Sequence, residues 1–404
     1  MPTVRVPALL LLATVILTAS QPAFSQAAEA SNGLLIGVIT SRAGAAQATG
    51  ASQALAADAW AEITQRAGGI YGVPVEVRLA DDGGVPARAL AAAESLISAG
   101  AHALVCCTTA AAARSVAELA ESEGVLLISP SDPAQARFDA PPSYWAFSLW
   151  PSESDALAAV VAHASATGRG SLALMTLDNE FGSGASDTLG ALLGYAGMRL
   201  AAEHRYSPNV QELRPEALLI ASHQPGGVVV WGLPRDTEIA VSALRARGYE
   251  GPVYARSALL APGALPLPPA TFAGVRFAVP PSLPAGVADA DALAAQTQCE
   301  DTVSMNRERL AQQYRGVARL DAAAPVLAAL DFIAAGVEQL IAIQLPPTTS
   351  LAVRRQALRD ALVGLRERCG ASGLIDFEEG RLSAIVPRGL VAVRIATSGA
   401  LEVR

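Results

Sequence analysis

Six short polar segments follow apolar, strand-length runs and hold most of the side chains that could bind a small molecule. They are TSRAG (40–44), CCTTA (106–110), SPSDP (129–133), LDNEFGSG (177–184), GLPRD (232–236) and YARSA (254–258). In an open parallel sheet, ligands bind beyond the carboxyl ends of the strands. Thr108 or Thr109 is suited to cap the helix that follows, and a free helix N-terminus attracts a carboxylate. The threonines therefore either seat an anion or only cap the helix, and the local sequence leaves both interpretations open.

The chain lacks the sequence motifs that common enzymes built on open parallel sheets use for catalysis or nucleotide binding. Its 29 basic residues are all arginines, which excludes a Schiff-base lysine and a P-loop. The first strand is not followed by GxGxxG, and no GxSxG occurs. The four histidines are scattered along the chain at His102, His163, His204 and His223. Neither the histidines nor the cysteines have the spacing of a zinc site. We expect no enzymatic activity, no cofactor and no metal.

The six polar segments can lie at the same edge of a sheet only if the strands before them are parallel, which requires a helix or loop crossover between successive strands. Apolar runs at 34–40, 73–80, 102–107 and 125–129 alternate with helical patterns, and the pattern resumes at 171–177, 227–232, 251–257 and 274–281. This predicts an α/β fold with two parallel sheets. A mostly helical block follows up to Cys369, and two or three short strands end the chain. The helix around Leu327–Leu340 is apolar nearly all round, which predicts burial in a core.

The N-terminus resembles an export signal. Arg5 precedes an apolar run of about 14 residues that ends in small residues, which is typical of a cleavable signal peptide over 1–27. The run is shorter than the roughly 20 residues of a membrane span. The net charge of −8 disfavours nucleic acid as a partner. We expect a soluble periplasmic protein.

Four cysteines in an exported chain permit three disulfide connectivities. A bond between Cys106 and Cys107 is disfavoured because a trans peptide holds their Cα atoms about 3.8 Å apart, below the usual disulfide range. We expect these two to end a buried strand as small apolar residues. A bridge between Cys299 and Cys369 would close a long loop, worth roughly 4 kcal/mol of chain entropy.

Several segments together resemble the type I periplasmic solute-binding proteins of the leucine/isoleucine/valine family. The resemblance lies in AGGIYG (67–72) followed by an alternating strand and Asp81-Asp82, in GVLLISPSDP (124–133) and in LDNEFGSG (177–184). It implies two Rossmann-like lobes joined by a three-crossover hinge near Leu149, Pro280 and Val386. Lobe 1 is then 31–149 and 281–385, and lobe 2 is 150–280 and 386–404. Since Cys299 and Cys369 both fall in lobe 1, the resemblance favours their pairing.

The resemblance also implies a set of ligand-binding residues: Thr49, Thr108, Thr109, Ala110, Ser131, Asp132, Trp150, Phe181, Arg235, Arg256 and Ser257. Phe181 corresponds to the aromatic residue that packs over the ligand, and Trp150 either lines the cleft or packs the hinge. The acidic residue that often meets a ligand ammonium would fall near Ser257, where this sequence has no carboxylate. Unless Asp132 supplies the anion, the site favours a carboxylate without an amino group, with Arg42, Arg235 or Arg256 as its partner.

The resemblance implies a non-enzymatic subunit of an ABC uptake transporter. It would capture a small amino acid or organic carboxylate by hinge closure and deliver it to permease subunits, and we expect a monomer. The alternative is an extracellular sensor that passes the closed lobe pair to a receptor.

Overall fold

A computed structural model describes residues 33–134, 137–138, 141–260, 267–282, 295, 298–313, 319–344 and 349–403. The predicted signal peptide at 1–27 lies outside these residues. The residues from Gly33 onward form one compact unit.

The first sheet is parallel, with the strand order β2-β1-β3-β4-β5. Its strands are β1 (Leu34–Thr40), β2 (Val75–Asp81), β3 (Ala103–Cys106), β4 (Leu126–Ser129) and β5 (Ala146–Ser148). Helices α1 (Gln47–Arg66), α2 (Pro86–Ser98) and α3 (Ala110–Glu123) connect the first four. β1, β3 and β4 are buried along their whole length, which explains why they are continuous apolar runs.

The second sheet has the order β14-β13-β10-β9-β8-β6-β7. Its parallel strands are β6 (Ser171–Leu177), β7 (Arg199–Tyr206), β8 (Val228–Trp231), β9 (Val253–Ala255) and β10 (Val275–Val279), and β13 (Val391–Ile395) and β14 (Leu401–Val403) are antiparallel. The accompanying helices are α4 (Glu153–Ala166), α5 (Glu180–Tyr195), α6 (Arg214–Ser222), α7 (Pro234–Ala246) and α8 (Pro269–Phe272). The predicted α/β class with two parallel-sheet layers is confirmed.

Three further helices and a hairpin follow the second passage of the chain, and the helices at 320–343 and 351–363 pack on the first sheet. They are α9 (Glu300–Gln313), α10 (Leu320–Ile343), α11 (Leu351–Val363), β11 (Arg368–Gly370) and β12 (Gly373–Ile375). Leu327, Leu330 and Ile333 of α10 are fully buried in the core that the helix shares with β1 and α1, so the prediction of core burial is confirmed. By length and composition α10 could also span a membrane, but half of its apolar stretch is buried within the protein.

The chain passes between the two sheets after β5, after β10 and before β13. Hydrogen bonds join the first and third passages: the backbone N–H of Ser148 donates to the carbonyl of Leu382 (2.7 Å), and that of Ala384 donates to Ser148 (2.8 Å). Arg381 also pairs with Asp155 in the first turn of α4, at 2.5 Å. These contacts tie the connecting segments to one another.

All four cysteines are paired in the structure. Cys299 and Cys369 form a disulfide with their Cα atoms 5.3 Å apart. Cys106 and Cys107 are also paired, and the peptide bond between them is cis. The sequence reasoning disfavoured a bond between these two residues. Burial of both side chains was expected and is complete.

Candidate functional site

Thr108 organises the carboxyl edge of the first sheet. Its Oγ1 accepts a hydrogen bond from the backbone N–H of Ser41 (2.9 Å) and donates one to Oε1 of Gln53 (2.6 Å). Ser41 follows β1, and Gln53 lies in α1. Thr108 therefore connects the ends of β1 and β3 to α1, a structural role that leaves one acceptor position on its oxygen.

Thr109 is the N-cap of α3, as one of the two interpretations expected. Its side chain accepts from the N–H of Ala112 at 3.4 Å, and Ala110 is the first helical residue. The first turn of α3 contains no acidic residue, so it keeps the partial positive charge of a helix N-terminus. Thr49 is buried in the first turn of α1.

Ser131 and Asp132 shape the loop after β4. The Ser131 hydroxyl donates to the carbonyl oxygen of Cys107 (2.9 Å), which joins this loop to the end of β3. Asp132 Oδ1 accepts from the backbone N–H of Ala134 (2.9 Å). Both side chains thus have local partners within their own edge of the sheet.

Trp150 packs at the first passage between the sheets. Its side chain belongs to the core of the second sheet and is 9% exposed. Its carbonyl oxygen accepts from the hydroxyls of Ser383 (3.2 Å) and Ser148 (3.3 Å). Trp150 therefore packs in a core at this passage, and its role in a ligand site stays a prediction.

Phe181 lies between a cation and a second aromatic ring. The guanidinium carbon of Arg256 is 4.8 Å from the centre of the Phe181 ring, a cation–π arrangement. Phe138, from the loop that leads from β4 to β5, is 5.5 Å from the same ring and inclined at 47°. A loop of the first sheet therefore contacts the edge of the second sheet here.

Arg256 is neutralised by a residue that sequence reasoning missed. Its Nε and one terminal nitrogen, Nη2, donate to the two carboxylate oxygens of Glu153, with distances of 2.5–3.2 Å. Another terminal nitrogen donates to the carbonyl of Gly232 (3.3 Å). The Arg256 and Glu153 side chains are only 8% and 10% exposed. The segment around Ser257 contains no carboxylate, as the sequence shows, but α4 brings Glu153 to Arg256.

Two residues of the predicted set remain, Arg235 and Ser257. Arg235 is exposed at the start of α7 and donates to Gln211 (3.0 Å). Ser257 is buried at the beginning of a short 3₁₀ turn, Ser257–Leu260.

A cavity of about 1030 Å³ opens between Phe138 and the carboxyl ends of the second sheet. It is lined by Arg137, Phe138, Leu177, Asn179, Glu180, Phe181, Ser183, Gly184, Asp187, Pro208, Leu233 and Arg256. Two of these, Phe181 and Arg256, belong to the predicted set. The volume lies at the upper end of the usual range for small-molecule sites, roughly 300–1,000 Å³. Among the described residues, no three acidic, histidine or cysteine side chains converge as a cation site.

A family model described as "Periplasmic binding protein" matches residues 34–378. A curated relative, the Leu/Ile/Val-binding protein homolog 3 of Brucella melitensis, is 32% identical over 98 residues, which is 24% of this chain and 27% of that protein. The match thus spans about a quarter of that relative.

Solved structures resemble the chain over 92% of its length. They include a putative branched-chain amino acid ABC transporter protein from Rhodospirillum rubrum (20% identity, TM-score 0.67, all of that chain covered). An ABC transporter substrate-binding protein from Desulfitobacterium hafniense in complex with Leu is similar (17%, TM-score 0.64, all of that chain). An extracellular ligand-binding receptor from Rhodopseudomonas palustris HaA2 also matches (17%, TM-score 0.61, 99% of that chain). At these identities the likeness shows the fold.

Proposed function

Because the chain belongs to the periplasmic binding protein family, we propose that it captures a small amino acid or organic carboxylate between two lobes. The proposed lobes are 31–149 with 281–385 and 150–280 with 386–404, joined by crossovers near Leu149, Pro280 and Val386. The observation that carries the proposal is the cavity between Phe138 of the first sheet's loop and the Phe181–Arg256 edge of the second sheet.

The first lobe would bind the anionic end of the ligand. The N-terminus of α3 offers backbone N–H groups that have no acceptor within the helix, together with a favourable dipole, and its first turn holds no competing acid. Thr109 caps this helix, while Thr108 holds the loop after β1 in place. Each hydrogen bond to a ligand carboxylate would contribute roughly 1.5–3 kcal/mol.

The second lobe would complete the site on closure. A ligand that contacts both lobes binds the closed state better than the open one and so shifts the population toward closure. A closed lobe pair is a shape that a membrane partner can distinguish from the empty protein. We propose permease subunits of an ABC transporter as that partner, a monomeric state, and export by a cleaved signal peptide.

A thermal-shift screen of the mature chain against the amino acids and a set of small organic acids tests the proposal. A ligand at about 1,000 times its dissociation constant adds roughly 4 kcal/mol to the free energy of unfolding. Small-angle scattering with the best ligand should then show a smaller radius of gyration, as lobe closure requires. A screen without any stabilising ligand, or a ligand that leaves the radius unchanged, contradicts capture by closure.

Two variants that each remove one hydroxyl group test the proposed carboxylate-binding site at the N-terminus of α3. Thr109→Val removes the cap of α3 and should weaken ligand binding at least tenfold. Ser115→Ala removes another hydroxyl of α3, which donates only to the carbonyl of Ala111 (3.3 Å), and should bind normally. Equal affinities of the two variants would place the ligand elsewhere.

A further inference from the structure

Phe138 is a residue of the first sheet's layer whose side chain packs on the layer of the second sheet. It lies in the loop from β4 to β5, whereas the apolar core that it touches consists mainly of residues of α4, α5 and the second-sheet strands. Its ring is 5.5 Å from that of Phe181 and inclined at 47°. Tilted aromatic rings attract each other at such distances. Phe138 is therefore a side-chain contact between the two proposed lobes.

Gly184 of α5 makes room for the Phe138 ring. A Cβ atom added to Gly184 would lie 2.7 Å from Cδ2 of Phe138 and 2.8 Å from its Cβ and Cγ. Rotating the ring would not relieve this overlap, because the Cβ atom of Phe138 is itself too near. The ring thus lies directly on the helix backbone, and a side chain at position 184 would push Phe138 away from α5.

The surface that receives the ring is held in place by the second sheet's own layer. A Cβ atom added to Gly182 would be 1.7 Å from the carbonyl oxygen of Leu177, so the first turn of α5 lies directly on the end of β6. The guanidinium of Arg256 covers the Phe181 ring at 4.8 Å, and its bidentate contact with Glu153 fixes the guanidinium plane. Such a preorganised surface binds a ring with little further ordering.

The Phe138 ring forms a wall of the cavity and leaves its space open. Phe138, Phe181 and Gly184 are all among the residues that line the cavity of about 1030 Å³. A molecule bound there would therefore lie between the first-sheet loop and α5. Contact of Phe138 with α5 and retention of a bound molecule thus favour the same arrangement of the two sheets.

We propose that Phe138 is a positioning residue for ligand capture, which holds the first-sheet loop on α5 at Gly184 and so stabilises the closed arrangement of the lobes. This inference rests on the proposed function. When the closed form is the one that binds the ligand, the apparent dissociation constant is inversely proportional to the closed fraction. The contact involves only protein atoms, so its effect on the lobes can also be measured on the protein alone.

Small-angle scattering of the protein alone tests the effect on the lobes. Phe138→Ala removes the ring, and Gly184→Ala displaces it although alanine has the higher helix propensity. Both variants should have a larger radius of gyration than the wild type, with circular dichroism showing that they remain folded. Gly190→Ala is the matched control, since an added Cβ atom at this position of α5 has no neighbour within 4 Å. It should keep the wild-type radius.

Isothermal titration with leucine tests the effect on capture. Phe138→Ala and Gly184→Ala should each weaken binding about tenfold, mainly through faster release, whereas Gly190→Ala should bind as the wild type does. The double variant Phe138→Ala with Gly184→Ala should bind no more weakly than either single variant, because the added Cβ atom then has no ring to displace. This lack of additivity separates the proposed contact from two unrelated losses of stability.

An unchanged radius of gyration in both Phe138→Ala and Gly184→Ala overturns the inference. Leucine binding by Phe138→Ala that is as tight as in the wild type, or tighter, overturns it as well, and so does a double variant in which the two losses add. In each of these cases the wild type still binds a solute, so the proposed function stands. If neither leucine nor any compound of the thermal-shift screen binds the wild type, the proposed function fails, and the scattering comparison alone decides the role of Phe138.

Discussion

Replacing Gly50 by alanine should destabilise the protein, because α1 lies directly against the loop after β1 at this residue. A Cβ atom added to Gly50 would be 2.0 Å from the carbonyl oxygen of Ser41 and 2.7 Å from its nitrogen. Both are backbone atoms, so no side-chain rotation relieves the overlap. The loop or the helix has to move by roughly 1 Å or more before ordinary van der Waals contact is reached.

Two opposing contributions set the size of the effect. Alanine is favoured over glycine within a helix by about 1 kcal/mol. Overpacking costs typically 1–3 kcal/mol and more when backbone must shift, and the contact here is backbone on backbone. We expect a net loss of about 2 kcal/mol, which for a domain of 150–250 residues lowers the melting temperature by roughly 4–8 °C. The displaced Ser41 also donates to Thr108, so ligand affinity should fall with stability.

Gly190→Ala is the matched control for thermal denaturation followed by circular dichroism. Gly190 lies within α5, and a Cβ atom added there has no neighbour within 4 Å. This variant should gain up to about 1 kcal/mol from helix propensity alone. If Gly50→Ala gained stability in the same way as Gly190→Ala, the close approach of α1 to Ser41 would be refuted.

Three further predictions concern groups outside the cavity. Replacing Cys299 and Cys369 together by serine should lower the free energy of unfolding by about 2–5 kcal/mol, and unchanged denaturation midpoints in urea would contradict the bridge. Burial, with Arg354 and Arg355 nearby, lowers the pKa of His102 to about 4. Between pH 6.5 and 4 the imidazole is therefore protonated in the unfolded chain but not in the folded one. The free energy of unfolding should fall as the pH drops through this range. His102→Asn should make that fall shallower in denaturation measured across this range, and a parallel fall would refute the assignment. Asp331 accepts a hydrogen bond from Trp60 Nε1 (2.8 Å). Asp331→Ala should lower the free energy of unfolding by about 1–3 kcal/mol because it leaves that donor unpaired. Asp331→Asn keeps an acceptor and should lower it clearly less in the same urea titration.

Buried strands could be predicted from the sequence more readily than exposed ones. β1 and β6 have the predicted bounds because both faces are covered and every residue is apolar or small. β7 (Arg199–Tyr206) was not predicted, since it is an edge strand whose residues are mostly half-buried and mix charge with apolar side chains. β5 and α6 were also missed, as both are short and follow loops without a clear period.

The site was partly predictable because strand ends are local features. The cap at Thr109 follows directly from its segment, whereas Phe181, which lines the cavity, was selected by the family resemblance. The pairing of Cys106 with Cys107 did not follow from the sequence. The roles of Thr108 and Ser131 also depend on partners in other loops, Gln53 and the Cys107 carbonyl.

Glu153 shows why the charge of a cleft cannot be counted from the loops that line it. The segment around Arg256 contains no acid, so its local sequence predicts an unbalanced cation ready for a ligand carboxylate. A cation this deeply buried is costly unless it is paired, and its partner comes from a helix that is 103 residues away in sequence. The only local sign is an acid in the first turn of α4, where a glutamate is equally expected as a favourable helix-dipole contact. Burial of Arg256 therefore had to be known before Glu153 could be assigned as its partner.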